Sequence, residues 1–276
     1  MTIERPERIR EFVGPGEWTP YSAPPTDADP GPGWIDHTHA GPSWIVGRYL
    51  VRRHPDRPEA ATEERDRTRW LRAAFGADEA DHGCSVPGWY ARPQPSGAPA
   101  HRPDAHARPD AIPAAVGRML GRLHGLDPAG CPTRFDHDDL VADIGRRVDE
   151  GQLRPELLPT PYERYPAARL LELLDHGPAP SGRPVVGHGS ANLANFWIDP
   201  AAGSEPAPDG ADGFVGLHRL GLADRHADLA VVHHQLQLAY GPEAVFAFYE
   251  SYACDPQLVA LDHYLLVDAI QSALVP

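Results

Sequence analysis

The sequence predicts an α+β fold of two lobes: a small β-containing N-terminal lobe and a large, mainly helical C-terminal lobe. In the front part, apolar residues fall in short runs separated by Gly and Pro, as in strands. After residue 111 they recur mainly at helical spacing. Residues 93–111 are rich in Pro, His and Ala, which indicates a hinge and loop. We therefore predict lobes at 1–92 and 93–276.

The N-terminal lobe is predicted to be partly irregular, with a truncated β-sheet. Residues 1–35 form a lead-in rich in Pro, Gly and charged residues. The predicted elements of this lobe are a short helix at 5–12, a β segment at 43–53 that turns at Gly47, a helix at 63–75 and a strand at 86–92.

The C-terminal lobe is predicted to alternate helices with short β runs. Amphipathic spacing predicts helices at 112–126, 138–153, 165–174, 229–240, from Gly241-Pro242 onward and at 257–274. Short apolar runs predict strands at 184–186, 194–198 and 213–217.

Composition and charge exclude several classes of function. The 276 residues carry a net charge of −14, which argues against nucleic acid or an anionic membrane as partner. The charge is compatible with a small molecule, including a cationic one, or a peptide as partner. No apolar run is long enough to span a membrane, and the charged N-terminus has no apolar signal region. We therefore expect a cytoplasmic protein that does not enter membranes.

Cysteine and lysine usage narrow the chemistry further. The 3 cysteines are widely spaced and predict neither a disulfide framework nor a metal site. All 25 basic residues are arginine, so the chain contains no lysine. Any mechanism that requires a lysine is therefore excluded.

Two segments read as motifs. Residues 185–199 contain His188-Gly189-Ser190, with Asn195 five residues after the serine. Residues 213–230 contain the run G-L-H-R-L-G-L-A-D-R-H-A-D-L-A, which begins at Gly216. Together they resemble the aminoglycoside phosphotransferase family, in which the two segments read H-G-D-x-x-x-x-N and I-D-x-G-R-x-G-x-A-D-R-x-x-D-L-A. The likeness covers roughly residues 43–270.

The resemblance implies a protein-kinase-like fold and ATP-dependent phosphorylation of a small molecule. In such a site, one aspartate accepts the proton of the substrate hydroxyl. A second carboxylate and an asparagine hold Mg²⁺, and a lysine paired with a glutamate grips the phosphates. Asn195 matches the metal-binding asparagine, and Glu64 matches the glutamate.

Three positions depart from this pattern. Ser190 replaces the catalytic aspartate, and a serine hydroxyl is no general base near neutral pH. Gly216 replaces the metal-binding aspartate. The lysine position falls on Arg52 or Arg53, and arginine does not substitute for lysine there. The predicted phosphate loop, residues 40–43, is also short and contains a proline, which lacks a backbone N–H.

We therefore expect a protein that has lost phosphoryl transfer and now binds or processes a small molecule or peptide. By analogy with the family, its setting is antibiotic resistance or natural-product biosynthesis. We expect no cofactor, with ATP and Mg²⁺ required only if kinase activity remains. The alternative is a weakly active O-phosphotransferase that acts on a cationic small molecule.

The candidate site residues differ between two hypotheses, a binding protein and a repurposed enzyme. A binding protein would use Asp262 and Asp268, where the last helices of the family meet cationic substrates, beside a vestigial nucleotide site of Arg52, Glu64 and Asn195. A repurposed enzyme would use His188, Ser190 and His218 for acid–base chemistry.

Two further hypotheses fit the sequence less well. A serine hydrolase elbow needs G-x-S-x-G, whereas residues 188 and 192 are His and Asn. A metal site at His226, His233 and His234 lacks the H-x-x-x-H spacing of a helix. We predict neither a hydrolase nor a metal site.

Overall fold

The computed structural model describes residues 4–21, 42–55, 57–77, 83–178, 182–199 and 213–275. A five-stranded antiparallel sheet of order β1-β2-β3-β5-β4 dominates the N-terminal part. Its strands are β1 (Trp18–Pro20), β2 (Ser43–Val46), β3 (Tyr49–Arg53), β4 (Cys84–Val86) and β5 (Trp89–Pro93). Helices α1 (Glu7–Val13) and α2 (Ala60–Ala74) accompany the sheet.

The sheet forms because its strands alternate apolar side chains around tight turns. The β2–β3 hairpin turns at Gly47, whose φ of 57° favours glycine. On the α1 side, Trp44 stacks on Trp89 with ring centroids 5.6 Å apart. This small core also contains Ile9, Val13, Val46, Val51 and Ala91.

The C-terminal part holds six helices in the described ranges, around the main apolar core. They are α3 (Ile112–His124), α4 (His137–Asp149), α5 (Ala167–Asp175), α6 (His226–Tyr240), α7 (Pro242–Tyr252) and α8 (Leu258–Ala273). Two antiparallel strand pairs lie among them: β6 (Ala98–Pro99) with β8 (Trp197–Ile198), and β7 (Val185–Gly187) with β9 (Gly221–Ala223). None of the described helices is both long and apolar enough to cross a membrane.

The structure corrects four of the predicted elements. Residues 18–20, predicted as irregular, form the edge strand β1. Residues 84–93 form a hairpin rather than one strand. Residues 213–217 form no strand; β7 pairs with residues 221–223 instead. Residues 93–111, predicted as a loop, contain the short strand β6 and two 3₁₀ turns, and Ala100, His101 and His106 are buried there.

Direct contacts join the two parts, and the buried seam between them is called the cleft below. Arg92 Nη1 on β5 donates a hydrogen bond to the Phe214 carbonyl oxygen at 2.8 Å. The Tyr21 hydroxyl donates to the Ala194 carbonyl oxygen at 2.7 Å. Leu50 of β3 packs in one buried cluster with Trp197 and Val215. The two motif segments therefore face the sheet directly.

Candidate functional site

The loop after β7 carries the first motif and is held from below by one buried carboxylate. The backbone N–H groups of His188 and Gly189 donate to the Asp228 carboxylate oxygens at 2.6 and 2.9 Å. His188 Nε2 lies 3.0 Å from the Val215 carbonyl oxygen, which can only accept, so this nitrogen carries the proton. His188 thus fastens the loop to the second motif, and its ring is fully buried.

The Asp228 carboxylate is itself part of a buried network. Its Oδ2 lies 3.0 Å from His124 Nε2, and His124 Nδ1 lies 2.7 Å from the Tyr252 hydroxyl. Burial raises the pKa of Asp228, but the hydrogen bonds from the His188 backbone N–H and the His124 ring outweigh burial and hold it below its usual value. Burial lowers the pKa of His188, so that ring is neutral at physiological pH. Asp228 therefore acts as the anchor of the loop.

The cleft above the loop contains the predicted basic–acidic pair. Arg52 Nη1 lies 3.6 Å from Glu64 Oε1, so Arg52 rather than Arg53 pairs with Glu64. His54 Nε2 lies 3.0 Å from Glu64 Oε2. Burial raises the pKa of Glu64, but the charge of Arg52 and the hydrogen bond with His54 hold it well below its usual range. Arg52 and Glu64 are both buried.

His54 is a member of this cluster that the sequence analysis missed. It lies two residues after Arg52, at the end of β3, so the alternation of a strand places both on one face. The rings of His54 and His218 lie 5.8 Å apart. Burial lowers the pKa of His218 well below its ordinary value although Glu64 opposes the shift. His218 Nδ1 has no hydrogen-bond partner among the described residues.

Gly216 brings the second motif against the same pair. Its φ of 73° and ψ of 36° are left-handed. A Cβ at this position would lie 2.7 Å from both amide atoms of Asn195 and 2.8 Å from Arg52 Nη1. The guanidinium of Arg52 therefore occupies the space into which a side chain at residue 216 would project. Asn195 in turn donates through Nδ2 to the Ser190 carbonyl oxygen at 2.8 Å.

Three further predicted residues are Ser190, Asp262 and Asp268. Ser190 and Asp268 line a pocket between the loop, α6 and α8. Asp262 lies outside the pocket, exposed on α8. The structure thus places His188 within the loop, His218 beside His54 and Ser190 in the pocket lining. Ala40 and Gly41 of the predicted phosphate loop lie outside the described residues.

The site combines a basic residue on a strand, a glutamate on the next helix that pairs with it, and a loop below them that ends in an asparagine. This is the arrangement of a kinase-like phosphotransferase. Residues 35–261 match the sequence model of a protein family that is described as the phosphotransferase enzyme family. The chain therefore belongs to the aminoglycoside phosphotransferase family.

Known relatives agree with this assignment. The chain is 33% identical to streptomycin 3''-kinase of Streptomyces griseus over 231 residues. The aligned region covers 75% of this chain and 78% of the kinase. It is also 30% identical to an aminoglycoside 3'-phosphotransferase of Streptomyces fradiae over 146 residues. That aligned region covers 51% of this chain and 52% of the enzyme.

Solved structures confirm the fold. Aminoglycoside phosphotransferase APH(3'')-Id from Streptomyces rimosus superposes with a TM-score of 0.68 at 24% identity, covering 95% of this chain and 96% of that chain. Its structure in complex with ADP and streptomycin gives a TM-score of 0.67 at 23% identity, with the same coverage. The two-lobed kinase-like α+β fold predicted from the sequence is thus confirmed.

The residues at the implied magnesium site do not fit the ion. Gly216 offers no ligand, and the Arg52 guanidinium lies where a side chain at that position would go. Like charges 4 Å apart repel by about 4 kcal/mol at an effective dielectric constant near 20, and a divalent ion doubles that repulsion. Within the described residues, no group of three or more His, Cys, Asp or Glu side chains could hold a metal ion.

Proposed function

We propose that this protein is a small-molecule-binding member of the family that does not transfer phosphate by the metal-assisted route. The observation that carries the proposal is the Arg52 guanidinium, which lies beside Asn195 in the space left by Gly216. A fixed cation in that space repels Mg²⁺, and the carboxylate that would attract the ion is absent. The remaining metal-binding side chain, Asn195, is neutral.

The loss of the catalytic base supports the same conclusion. Ser190 carries no charge and cannot accept the proton of a substrate hydroxyl near neutral pH. Removing a single preorganised group costs on the order of 10²–10³ in rate. The base and the metal carboxylate are both replaced here, and because such groups act as a unit their losses do not simply add.

Calorimetric titration with ATP, with and without Mg²⁺, tests the proposal. We expect Mg²⁺ to change the affinity for ATP by less than about twofold, because no site couples the ion to the nucleotide. Tighter binding by tenfold or more in the presence of Mg²⁺ would contradict the proposal. The triple variant R52K/S190D/G216D restores the three family side chains, and we expect it to gain Mg²⁺-dependent binding if it folds. The single variant S190D is the matched control, because it leaves Arg52 and Gly216 in place.

A second candidate is a slow O-phosphotransferase that uses ATP and Mg²⁺ and acts on a cationic small molecule. It is favoured by the 33% identity to a streptomycin kinase and by the retained Glu64 and Asn195. Mass spectrometry of streptomycin after long incubation with the protein, ATP and Mg²⁺ distinguishes the two. A phosphorylated product that disappears in the N195A variant would establish the second candidate and overturn the first.

We also propose a setting for this activity. The named relatives are aminoglycoside kinases, so a role in antibiotic resistance or in natural-product biosynthesis, inside the cytoplasm, follows by analogy. Disruption of the gene in its own organism, followed by antibiotic susceptibility tests and metabolite profiling, separates the two roles.

A further inference from the structure

Two histidine rings that belong to neither motif segment meet between helices α4 and α8. His137 is the first residue of α4, and His263 lies on α8. Their Nε2 atoms are 3.2 Å apart, and their ring centroids are 5.0 Å apart. Because the two residues are 126 positions apart in the chain, no local spacing in the sequence predicts that they meet.

The relative placement of the two rings suits a single metal ion between them. Zinc binds imidazole nitrogen at about 2.0–2.1 Å, so nitrogens with this separation subtend an angle of about 100° at the ion, close to tetrahedral. Lone pairs that converge on such an ion place the ring centroids about 5.0 Å apart, which is the observed distance. A straight hydrogen bond of the same length would place the centroids about 5.5 Å apart.

Neighbouring groups hold both rings in this arrangement. The Tyr264 ring lies 5.2 Å from the His137 ring and 5.4 Å from the His263 ring. His263 is buried, and the backbone at Gly177 packs so closely on its ring that a Cβ at residue 177 would overlap it. Because the rings are already fixed, little side-chain entropy is lost when an ion binds.

The Nε2 atoms of both rings are available to an ion. The Nδ1 atoms of His137 and His263 have no hydrogen-bond partner among the described residues, so no neighbour fixes the tautomer of either ring. When each Nδ1 carries the ring proton, both Nε2 lone pairs are free to coordinate. His137 is half-buried and lines the pocket beside Ser190, which gives an ion a route to the pair from solvent.

The donor atoms select the class of ion. Imidazole nitrogen suits Zn²⁺, Cu²⁺ and Ni²⁺, whereas Mg²⁺ and Ca²⁺ prefer oxygen ligands. Within the ranges that the structure describes, no third His, Cys, Asp or Glu side chain joins the pair. Water therefore completes the coordination, and an ion held by two protein ligands exchanges with solvent more readily than one in a closed four-ligand site.

We propose that His137 and His263 bind one Zn²⁺ ion, which fastens the start of α4 to α8 at the wall of the pocket beside Ser190. The site shares no residue with the buried cluster around Arg52. It is therefore independent of the proposed function, and the Mg²⁺-dependence of ATP binding tests that function separately.

Calorimetric titration of Zn²⁺ into the full chain, freed of metal with EDTA, tests the site. We expect saturable binding that His137→Gln weakens by at least about tenfold, because one of two protein ligands is lost. His176→Gln is the matched control and should leave the affinity unchanged. His176 is exposed next to Gly177, and its Nδ1 lies 2.8 Å from the Glu172 carbonyl oxygen. Equal affinities of the two variants, or no binding by the unmodified protein, would overturn the proposal.

Thermal unfolding of the same proteins gives a second measurement. Zn²⁺ should raise the Tm of the unmodified protein and of H176Q, because the ion binds only when the two helices are in contact. It should leave the Tm of H137Q unchanged, and Mg²⁺ at the same concentration should raise none of the three. An equal rise in H137Q, or an equal rise with Mg²⁺, would contradict a site made by the two imidazoles.

Histidine NMR of the unmodified protein keeps the test decisive if H137Q does not fold. Long-range ¹H–¹⁵N spectra report each imidazole nitrogen of the 15 histidines. Zn²⁺ should shift the Nε2 resonances of two rings, and nuclear Overhauser contacts with the Tyr264 ring assign these to His137 and His263. Shifts confined to other histidines would overturn the proposal.

Discussion

The Asp228 carboxylate beneath the loop and the Arg52 guanidinium in the cleft above it differ in how completely their hydrogen-bonding groups are satisfied. Asp228 accepts two backbone N–H groups and contacts His124, and its residue type matches the family motif. In the cleft, Nε and Nη1 of Arg52 have no hydrogen-bond acceptor among the described residues. Gly216 also departs from the motif there. The difference indicates that the residues that stabilise the fold can be kept while the residues that carry out the family reaction change.

Removal of the anchor should have the largest effect. Asp228→Ala leaves two buried N–H groups and the His124 ring without their acceptor, so we expect a loss of about 3–5 kcal/mol in unfolding free energy. Urea denaturation measures this loss. Asp255→Ala, at an exposed carboxylate, is the control and should remain close to the unmodified protein. An equally stable D228A protein would remove the distinction between the two regions.

Acid should weaken both regions, because each contains a buried neutral histidine. The folded-state pKa values of His188 and His218 lie below the ordinary 6.5. The unfolded chain therefore takes up protons first, and stability is lost as pH falls below about 6.5. Each such histidine contributes a slope of about 1.4 kcal/mol per pH unit. His218→Gln should reduce the slope measured by denaturation between pH 7 and 5; an unchanged slope would contradict the burial of a neutral His218.

A side chain at residue 216 tests the close approach of Arg52. Gly216→Ala should cost about 2–3 kcal/mol, from the left-handed backbone and the contacts with Arg52 and Asn195. Gly47→Ala is the matched control, because its φ is also positive but nothing lies within 4 Å of its Cβ. It should cost only about 1 kcal/mol in urea denaturation. Equal losses would show that Arg52 does not fill the space beside Gly216.

The smallest expected effect concerns the hydrogen bond that crosses the cleft from Tyr21. Tyr21→Phe removes the donor to the Ala194 carbonyl oxygen and should cost about 1 kcal/mol. Tyr165→Phe, at a ring that is 39% exposed, should be close to neutral. If urea denaturation gave the two variants equal stability, this hydrogen bond would contribute nothing to joining the lobes.

Much of the fold could be predicted from the sequence because helical periodicity is a local signal. The helices of the C-terminal part appear within a few residues of their predicted bounds. The errors fall on short strands. Residues 213–217 are as apolar as a strand, yet they lie in a loop. There the backbone N–H of Val215 donates to the Asn195 carbonyl oxygen at 3.1 Å. The β9 strand is three residues long and exists only because β7 lies beside it.

The sequence by itself determined the family, the absence of lysine, and the absence of a carboxylate at residues 190 and 216, since these are properties of the covalent chain. Only the tertiary structure decided that Arg52 rather than Arg53 meets Glu64, and that its guanidinium fills the space beside Gly216. It also decided that Asp268 lines the pocket while Asp262 does not. Periodicity assigns a residue to a face, but long-range packing sets which side chains meet across that face.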